Sequence, residues 1–437
     1  MLDALDLQLT VFAILDRRLR AASPAPLAVA LSGGGDSLAL LLLVKAWARA
    51  RARRVCALTV DHRLNPDSAD WTAFCGETAA RLGVDFQALA WTGEKPATGL
   101  PAAARAARHA LLADAARDAG AKVLLMGHTA DDLAESAAMR EDGSTVADAR
   151  EWSPSPAWPE GRDLFILRPL LGVSRAALRA HLRDAGETWI DDPANEDVRF
   201  ARARARLLHS SPRRGEGDHA KHGGGVGANA SGPLLNSGPS GEIRSAPSTM
   251  LRMVPLPTMW GGLTLSRTAS PREIAVAALC AAGTDRPPRG ESLSRIIDGL
   301  RRGDPFVTSL AGARIDIDWT EIRVMREAGE FTRRAPPAAD LPPGRAVVWD
   351  GRFELIASRP GLRVRMLAGE ASRLPPPQQT RLKTLPAAAR PTLPLVFDAD
   401  GRVSCPILAE QPSTRVRSLA LPRFEAATGR VDSEPAP

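Results

Sequence analysis

Ser32-Gly33-Gly34-Gly35-Asp36-Ser37 follows the strand-like run "LAVAL" and opens into the helix-like run "SLALLLLVKAWARARA". A turn between a strand and a helix N-terminus aims several backbone N–H groups at one spot and adds the positive end of the helix dipole. Gly33, Gly34 and Gly35 let a ligand approach the backbone without a Cβ in the way, and Ser32 and Ser37 add hydroxyl donors. Such a set suits phosphate. The spacing is too short for a Walker A loop, and no Gly-Lys-Ser/Thr follows. A dinucleotide fingerprint also fails, because Asp36 would sit against a pyrophosphate. An acid at that point makes sense where Mg2+ bridges it to the phosphates. The alternative is a tight Gly-rich turn with no ligand. The agreement of strand, Ser-Gly-Gly-x-Asp-Ser order and helix argues against it.

Other chemistry-bearing residues recur at the ends of strand-like runs. Asp61 and His62 end "VCALTVDH", and His128 follows "AKVLLMG". Asp132 and Glu135, three apart, share a face of a first helical turn. Two carboxylates there can hold an ammonium group, or can simply favour a helix N-terminus. Arg105 and Arg108 are likewise three apart on one helix face, where they can meet phosphate or RNA or stand exposed. In "DPANEDVRFARARARLL", Arg199, Arg202, Arg204 and Arg206 suit nucleic-acid phosphates, with a solvated helix face as the alternative. Asp192 and Asn195 read equally well as turn formers or as catalytic residues.

These residues need a scaffold. From Leu27 to about Leu208, short apolar runs alternate with helices of ten or more residues, which predicts an α/β, doubly wound parallel sheet. Ligands of such sheets lie at the carboxyl ends of the strands, beside a topological switch point. The catalytic domain is expected over residues 1–208. Residues 209–250 are dense in Gly, Ser and Pro with almost no apolar periodicity, and read as a disordered insertion. Residues 251–335 read as a helical or mixed region, with "ARIDIDWTEIRVMRE" alternating like a pair of strands, and only the family resemblance set out next implies that this region binds tRNA. Residues 336–437 read as a small α+β C-terminal domain with a ragged tail.

The motifs carry a resemblance. "SGGGDS" resembles the pyrophosphate-loop (PP-loop) signature of the N-type ATP pyrophosphatases, which are adenine nucleotide alpha hydrolase-like in fold and cleave ATP between its α and β phosphates. "TVDHRLNPDSADW", "LPAAARAARHALL", "GHTADDLAES" and "LRPLLGVSRAALRAHLRDAGETWIDDPANEDVRFARARAR" are similar to further motifs of the tRNA(Ile)-lysidine synthase family. The resemblance implies that ATP adenylates the wobble cytidine of a tRNA(Ile) with a CAU anticodon. Free L-lysine then displaces AMP to give lysidine, and the tRNA reads AUA. It implies Ser32, Gly33, Gly34, Gly35, Asp36, Ser37, Asp61, His62 and His128 at ATP, with Asp36 on Mg2+ through the phosphates. It also implies catalytic roles for Asp36, Arg108, Asp132 and Glu135, the last two on the lysine, and tRNA contacts from Arg105, Arg202, Arg204 and Arg206. The chain departs from the family in carrying Thr129 where a second His is usual, Leu133 for a Gln, and His109 for a Tyr.

Composition bounds the rest. The chain has 437 residues, 57 basic against 50 acidic side chains and a net charge of +7, compatible with a polyanionic partner. The N-terminus has acids where a signal peptide needs bases, and no apolar run is long enough to span a membrane, so a cytoplasmic protein is expected. Cys56, Cys75, Cys280 and Cys405 are scattered, with no C-x-x-C pair. That pattern disfavours the rival enzyme, a PP-loop tRNA thiolase acting on cytidine or uridine. A non-catalytic RNA-binding scaffold is the other rival, and it would have no need of Asp36 as a magnesium ligand. Oligomeric state stays open, a homodimer among the options.

Overall fold

The computed structural model describes residues 4–141, 143, 148–191, 260–333 and 337–436. The elements of the first unit are α1 (Ala4–Arg18), β1 (Leu27–Ala30), α2 (Gly35–Arg49), β2 (Val55–Asp61), α3 (Ser68–Arg81) and β3 (Asp85–Ala90). They continue with α4 (Leu100–Asp118), β4 (Val123–Leu125), α5 (Ala130–Glu141), β5 (Trp152–Pro154), β6 (Phe165–Leu167) and α6 (Arg175–Asp184). The six strands form one sheet in the order β3-β2-β1-β4-β6-β5. All neighbours are parallel except β5, which runs antiparallel to β6 at the edge. The doubly wound expectation holds, and the switch point falls between β1 and β4.

The inner strands β1, β2, β4 and β6 are apolar on both faces because both faces are covered. Leu27 and Val29 of β1 and Val123 and Leu125 of β4 pack with α1, α2, α3 and α6 through Leu7, Val11, Leu38, Leu41, Cys75 and Leu182. The intervening Ala28 and Leu124 face α4 through Leu112, Ala113 and Ala116. The period of two thus assigns each strand residue to one of two cores.

Among the described residues, the rest of the chain adds three antiparallel sheets. β7 (Leu263–Ser266), β8 (Phe306–Leu310), β9 (Ala313–Ile317) and β10 (Glu321–Arg326) form the first, in the order β7-β10-β9-β8, with helices Pro271–Ala282 and Gly290–Arg302. β9 and β10 are the strand pair read from the sequence. A second sheet joins β11 (Ala339–Leu341), β14 (Leu362–Met366), β15 (Pro394–Phe397) and β16 (Val403–Ser404). The third joins β12 (Ala346–Trp349), β13 (Phe353–Ala357) and β17 (Thr414–Ser418).

Charged contacts hold the last unit against the first. Arg162 pairs with Glu354, and Arg417 reaches both Asp163 at 2.5 Å and Glu354 at 3.1 Å. The tail differs from its sequence reading. Glu434 is buried, and its carboxylate takes two hydrogen bonds of 2.8 Å from Arg53, while its backbone N–H donates to the Arg18 carbonyl. The buried guanidinium of Arg53 needs an anion, and the tail brings the one it pairs with. Arg199, Arg202, Arg204, Arg206, Asp192, Asn195 and the 209–250 insertion lie outside the described residues.

Candidate active site

The glycine turn sits where the sequence places it, after β1 at the switch point. Ser37 shapes it: the Ser37 hydroxyl donates to the Gly34 carbonyl at 2.9 Å, accepts from the Ser32 amide at 3.1 Å and lies 3.1 Å from Ser32 Oγ. Gly33 has φ of +83°, a left-handed conformation that favours glycine, and an added Cβ there would lie 2.6 Å from Ile190 Cδ1. The Ile190 amide donates to the Gly33 carbonyl, so the segment after α6 covers one side of the turn. Gly34, the N-cap of α2, offers no side-chain cap, which leaves the first amides of that helix to a ligand. β4 closes the other side. A Cβ on Gly127 would meet the Asp36 carbonyl oxygen at 2.9 Å and the Ser37 nitrogen at 3.1 Å.

Next to the turn, one guanidinium gathers the three catalytic carboxylates expected from the sequence. Arg175, the first residue of α6, donates from Nε to Asp36 Oδ2 at 3.1 Å, from Nη2 to Asp132 Oδ1 at 2.9 Å and from Nη1 to Glu135 Oε1 at 2.5 Å. Its own amide donates to Asp131 Oδ2 at 2.9 Å. Asp132 has a second task, since its Oδ2 accepts from the amide and hydroxyl of Thr129 at 2.8 and 3.0 Å. Of the two readings of this acid, the helix-terminus one is seen directly, at the start of α5, while its other oxygen faces Arg175. Burial works to raise the Asp132 pKa, but the Thr129 amide and Arg175 prevail and hold it below the usual carboxylate range. For Asp36 burial wins, and its pKa is raised despite Arg175. Three carboxylates against one guanidinium leave a cation-seeking pole.

A basic pole faces it. Arg168, 7% exposed, donates from Nε to His128 Nδ1 at 3.2 Å and from Nη1 to the Arg150 carbonyl at 2.8 Å and Ser153 Oγ at 3.2 Å. Burial first, then the Arg168 charge, pushes His128 below the ordinary imidazole range, with Arg108 and Arg105 acting the same way and Asp132 against them. His109 is buried with no partner for either ring nitrogen and is held down to about 3, burial being the main cause and Arg108 the next. Burial and Arg108 lower His62, whose ring stands edge-on to Trp91 at 6.1 Å. The half-buried Arg108 and exposed Arg105 of α4 thus act electrostatically at the ends of β2 and β4. Asp61 accepts from the Arg63 amide at 2.7 Å at the end of β2.

The structure brings together Ser32 to Ser37, Asp132 and Glu135, and sets His62, His128, Arg105 and Arg108 in a second group beside them. The sequence reading missed Arg175 and Arg168. Both stand in "LRPLLGVSRAALRA", within a motif already singled out, but an arginine before or inside a helix carries no local mark of its partners. All four cysteines are buried and free, and no two of them share a helix or strand; Cys75 Sγ lies beside the turn, 3.4 Å from where a Cβ on Gly33 would sit. Among the described residues no helix is long and apolar enough to cross a membrane.

A family model described as a PP-loop domain matches residues 9–210. The chain is 47% identical over 433 residues to a tRNA(Ile)-lysidine synthase of Caulobacter vibrioides, covering 97% of this chain and 98% of that one. Namesakes from Hyphomonas neptunium and Mesorhizobium japonicum are 35% and 32% identical, over 69% and 87% of this chain and 81% and 85% of theirs. With near-complete mutual coverage at that identity, the chain belongs to the tRNA(Ile)-lysidine synthase family.

Proposed function

We propose that the protein ligates L-lysine to C2 of the wobble cytidine of a tRNA(Ile) with a CAU anticodon, in the cytoplasm and at the expense of ATP. In the first step the cytidine C2 oxygen attacks the α phosphorus of ATP; an O–P bond forms and pyrophosphate leaves. In the second, a lysine amine attacks C2; a C–N bond forms, the C–O bond breaks and AMP departs with the oxygen.

The observation that carries this reading is the three-carboxylate cluster on Arg175 beside the glycine turn. A nucleotide held at the turn and an ammonium held by Asp132 and Glu135 would lie against each other, and holding reactants together is a large part of such catalysis. The same two carboxylates are the groups at hand to take the proton the amine must lose. The arginines of α4 and Arg168 supply a field for the phosphates of nucleotide and RNA.

Mg2+ fits here only together with the nucleotide. No set of three metal-ligating side chains exists among the described residues. Asp36 is one hard oxygen donor whose burial makes its negative charge unfavourable, and Mg2+ commonly takes one or two carboxylates plus phosphate oxygens. Asp36 and the phosphates would hold it, and it would supply charge neutralisation of the departing pyrophosphate.

The test is AMP release and incorporation of labelled lysine, with ATP and a tRNA(Ile) transcript carrying CAU. Asp36→Ala should abolish both. AMP release without lysine dependence, or dependence on a sulfur donor, would reassign the protein.

A further inference from the structure

We infer that Arg168 is a positioning residue that locks His128 in the tautomer protonated on Nε2, so that His128 serves the reaction as a hydrogen-bond donor to a substrate oxygen and not as a proton acceptor. A guanidinium has N–H groups and no lone pair to offer, so an imidazole nitrogen 3.2 Å from Arg168 Nε must be the one that accepts. That nitrogen is Nδ1, and a neutral imidazole then carries its single proton on Nε2.

The lock is rigid. Arg168 is tethered at Nη1 to the Arg150 carbonyl and Ser153 Oγ, on the edge strand β5 and the residues leading into it. That strand pairs with β6, which ends one residue before Arg168, so the guanidinium is fixed from both ends. Burial first, then the Arg168 charge, keeps the ring neutral, with Arg108 and Arg105 acting the same way and Asp132 against them. The other tautomer would aim an N–H at a cation. His128 as general base would require that tautomer, so the amine's proton is left to Asp132 and Glu135. The recipient of the Nε2–H bond is an oxygen that gains negative charge in the reaction, of the phosphoryl or cytidine C2 type, where a fixed donor is most effective.

This inference rests on the proposed function only for the recipient, and the experiment separates the two. Nitrogen-15 NMR of the full-length protein, labelled at its 7 histidines, reads the tautomer of His128 without substrate. A protonated Nε2 and bare Nδ1 are expected, with Arg168→Met shifting the ring toward a mixture of tautomers. In the kinetic arm, His128→Gln places an amide N–H near the Nε2 position and should keep at least about ten times the kcat of His128→Ala. Arg168→Met should lower kcat about 10-fold or more with KM values nearly unchanged, and Arg168→Lys should recover part of it. A wild-type ring protonated on Nδ1, a His128→Gln enzyme as slow as His128→Ala, or a folded Arg168→Met enzyme with normal kcat overturns the inference. Should Arg168→Met fail to fold, the wild-type spectrum and the His128 pair decide it. A chain that shows the expected tautomer but no lysine-dependent AMP release refutes the proposed function and leaves the lock standing.

Discussion

Arg175 Nε lies 3.1 Å from Asp36 Oδ2, tying the first turn of α6 to the first turn of α2 across 139 residues of chain. The same guanidinium holds Asp132 and Glu135, so one cation serves acids from two separate motifs. Asp36 is expected to work with Mg2+ and the other two with the substrate ammonium. Arg175 thus occupies the position between the three carboxylates.

Replacing Arg175 by Met removes the one guanidinium that joins the three carboxylates. The variant should lose about 100-fold or more in kcat/KM for lysine, equivalent to about 2.7 kcal/mol, and about 3 kcal/mol of stability near pH 7.5. Lys at this position should recover only part, because an ammonium cannot fork to three acceptors as a guanidinium does. Steady-state kinetics and urea unfolding of the two variants check this. Normal lysine kinetics in Arg175→Met would remove the cluster from the mechanism.

Gly127→Ala tests how closely β4 must approach the turn. The new Cβ would sit 2.9 to 3.1 Å from backbone atoms of Asp36 and Ser37, and backbone cannot swing aside as a side-chain tip can. The turn must shift by a few tenths of an ångström, and small displacements of positioning groups are costly. We expect the KM for ATP to rise about 10-fold and kcat to fall, with secondary structure by circular dichroism retained. Unchanged ATP kinetics would show that the turn tolerates the displacement.

How much of this was legible in the sequence follows from the range of each interaction. Ser32 to Ser37 are read from their own neighbours, since strand, glycines and helix are contiguous and nothing distant is needed to recognise the turn. Asp132 and Glu135 are likewise local, one helical turn apart. Arg175 is not, because its partners Asp36, Asp132 and Glu135 stand 139, 43 and 40 positions away. Only the folding of α6 beside the switch point brings them together. Glu434 is the extreme case, an acid near the chain end that finds Arg53 from 381 positions away. β5 escaped notice for another reason: "WSP" is too short and too Pro-bound to show any alternation.

His109 should make the protein acid-labile. Its ring is 5% exposed and held down to about 3, whereas the unfolded chain has an ordinary imidazole near 6.5. As pH falls below about 6.5 the unfolded state takes up a proton that the folded state refuses until about pH 3, so stability is intact above that window and is lost as pH drops through it. The slope is about 1.4 kcal/mol per pH unit, or about 2 kcal/mol between pH 6.5 and 5. His109→Leu should remove this share of the acid sensitivity, seen as a smaller shift of the urea midpoint between pH 7.5 and 5. An equal shift in both proteins would mean the buried ring is not what senses acid.

The tail is the last element to test. Arg53 and Glu434 form a two-pronged pair with side chains 1% and 0% exposed, and Arg53 also donates to the Ala25 and Arg20 carbonyls. Breaking a buried pair by removing one partner is far more costly than replacing both with apolar groups, because the survivor is left charged and unsolvated. Glu434→Ala should therefore cost about 3–5 kcal/mol in urea unfolding. The double variant Arg53→Met/Glu434→Leu should be more stable than Glu434→Ala. Trp152 Nε1 donates to the Val431 carbonyl, so release of the tail should also alter Trp152 fluorescence, a readout separate from global unfolding. A Glu434→Ala protein with the wild-type midpoint and spectrum would mean the tail adds nothing to the joining of the first and last units.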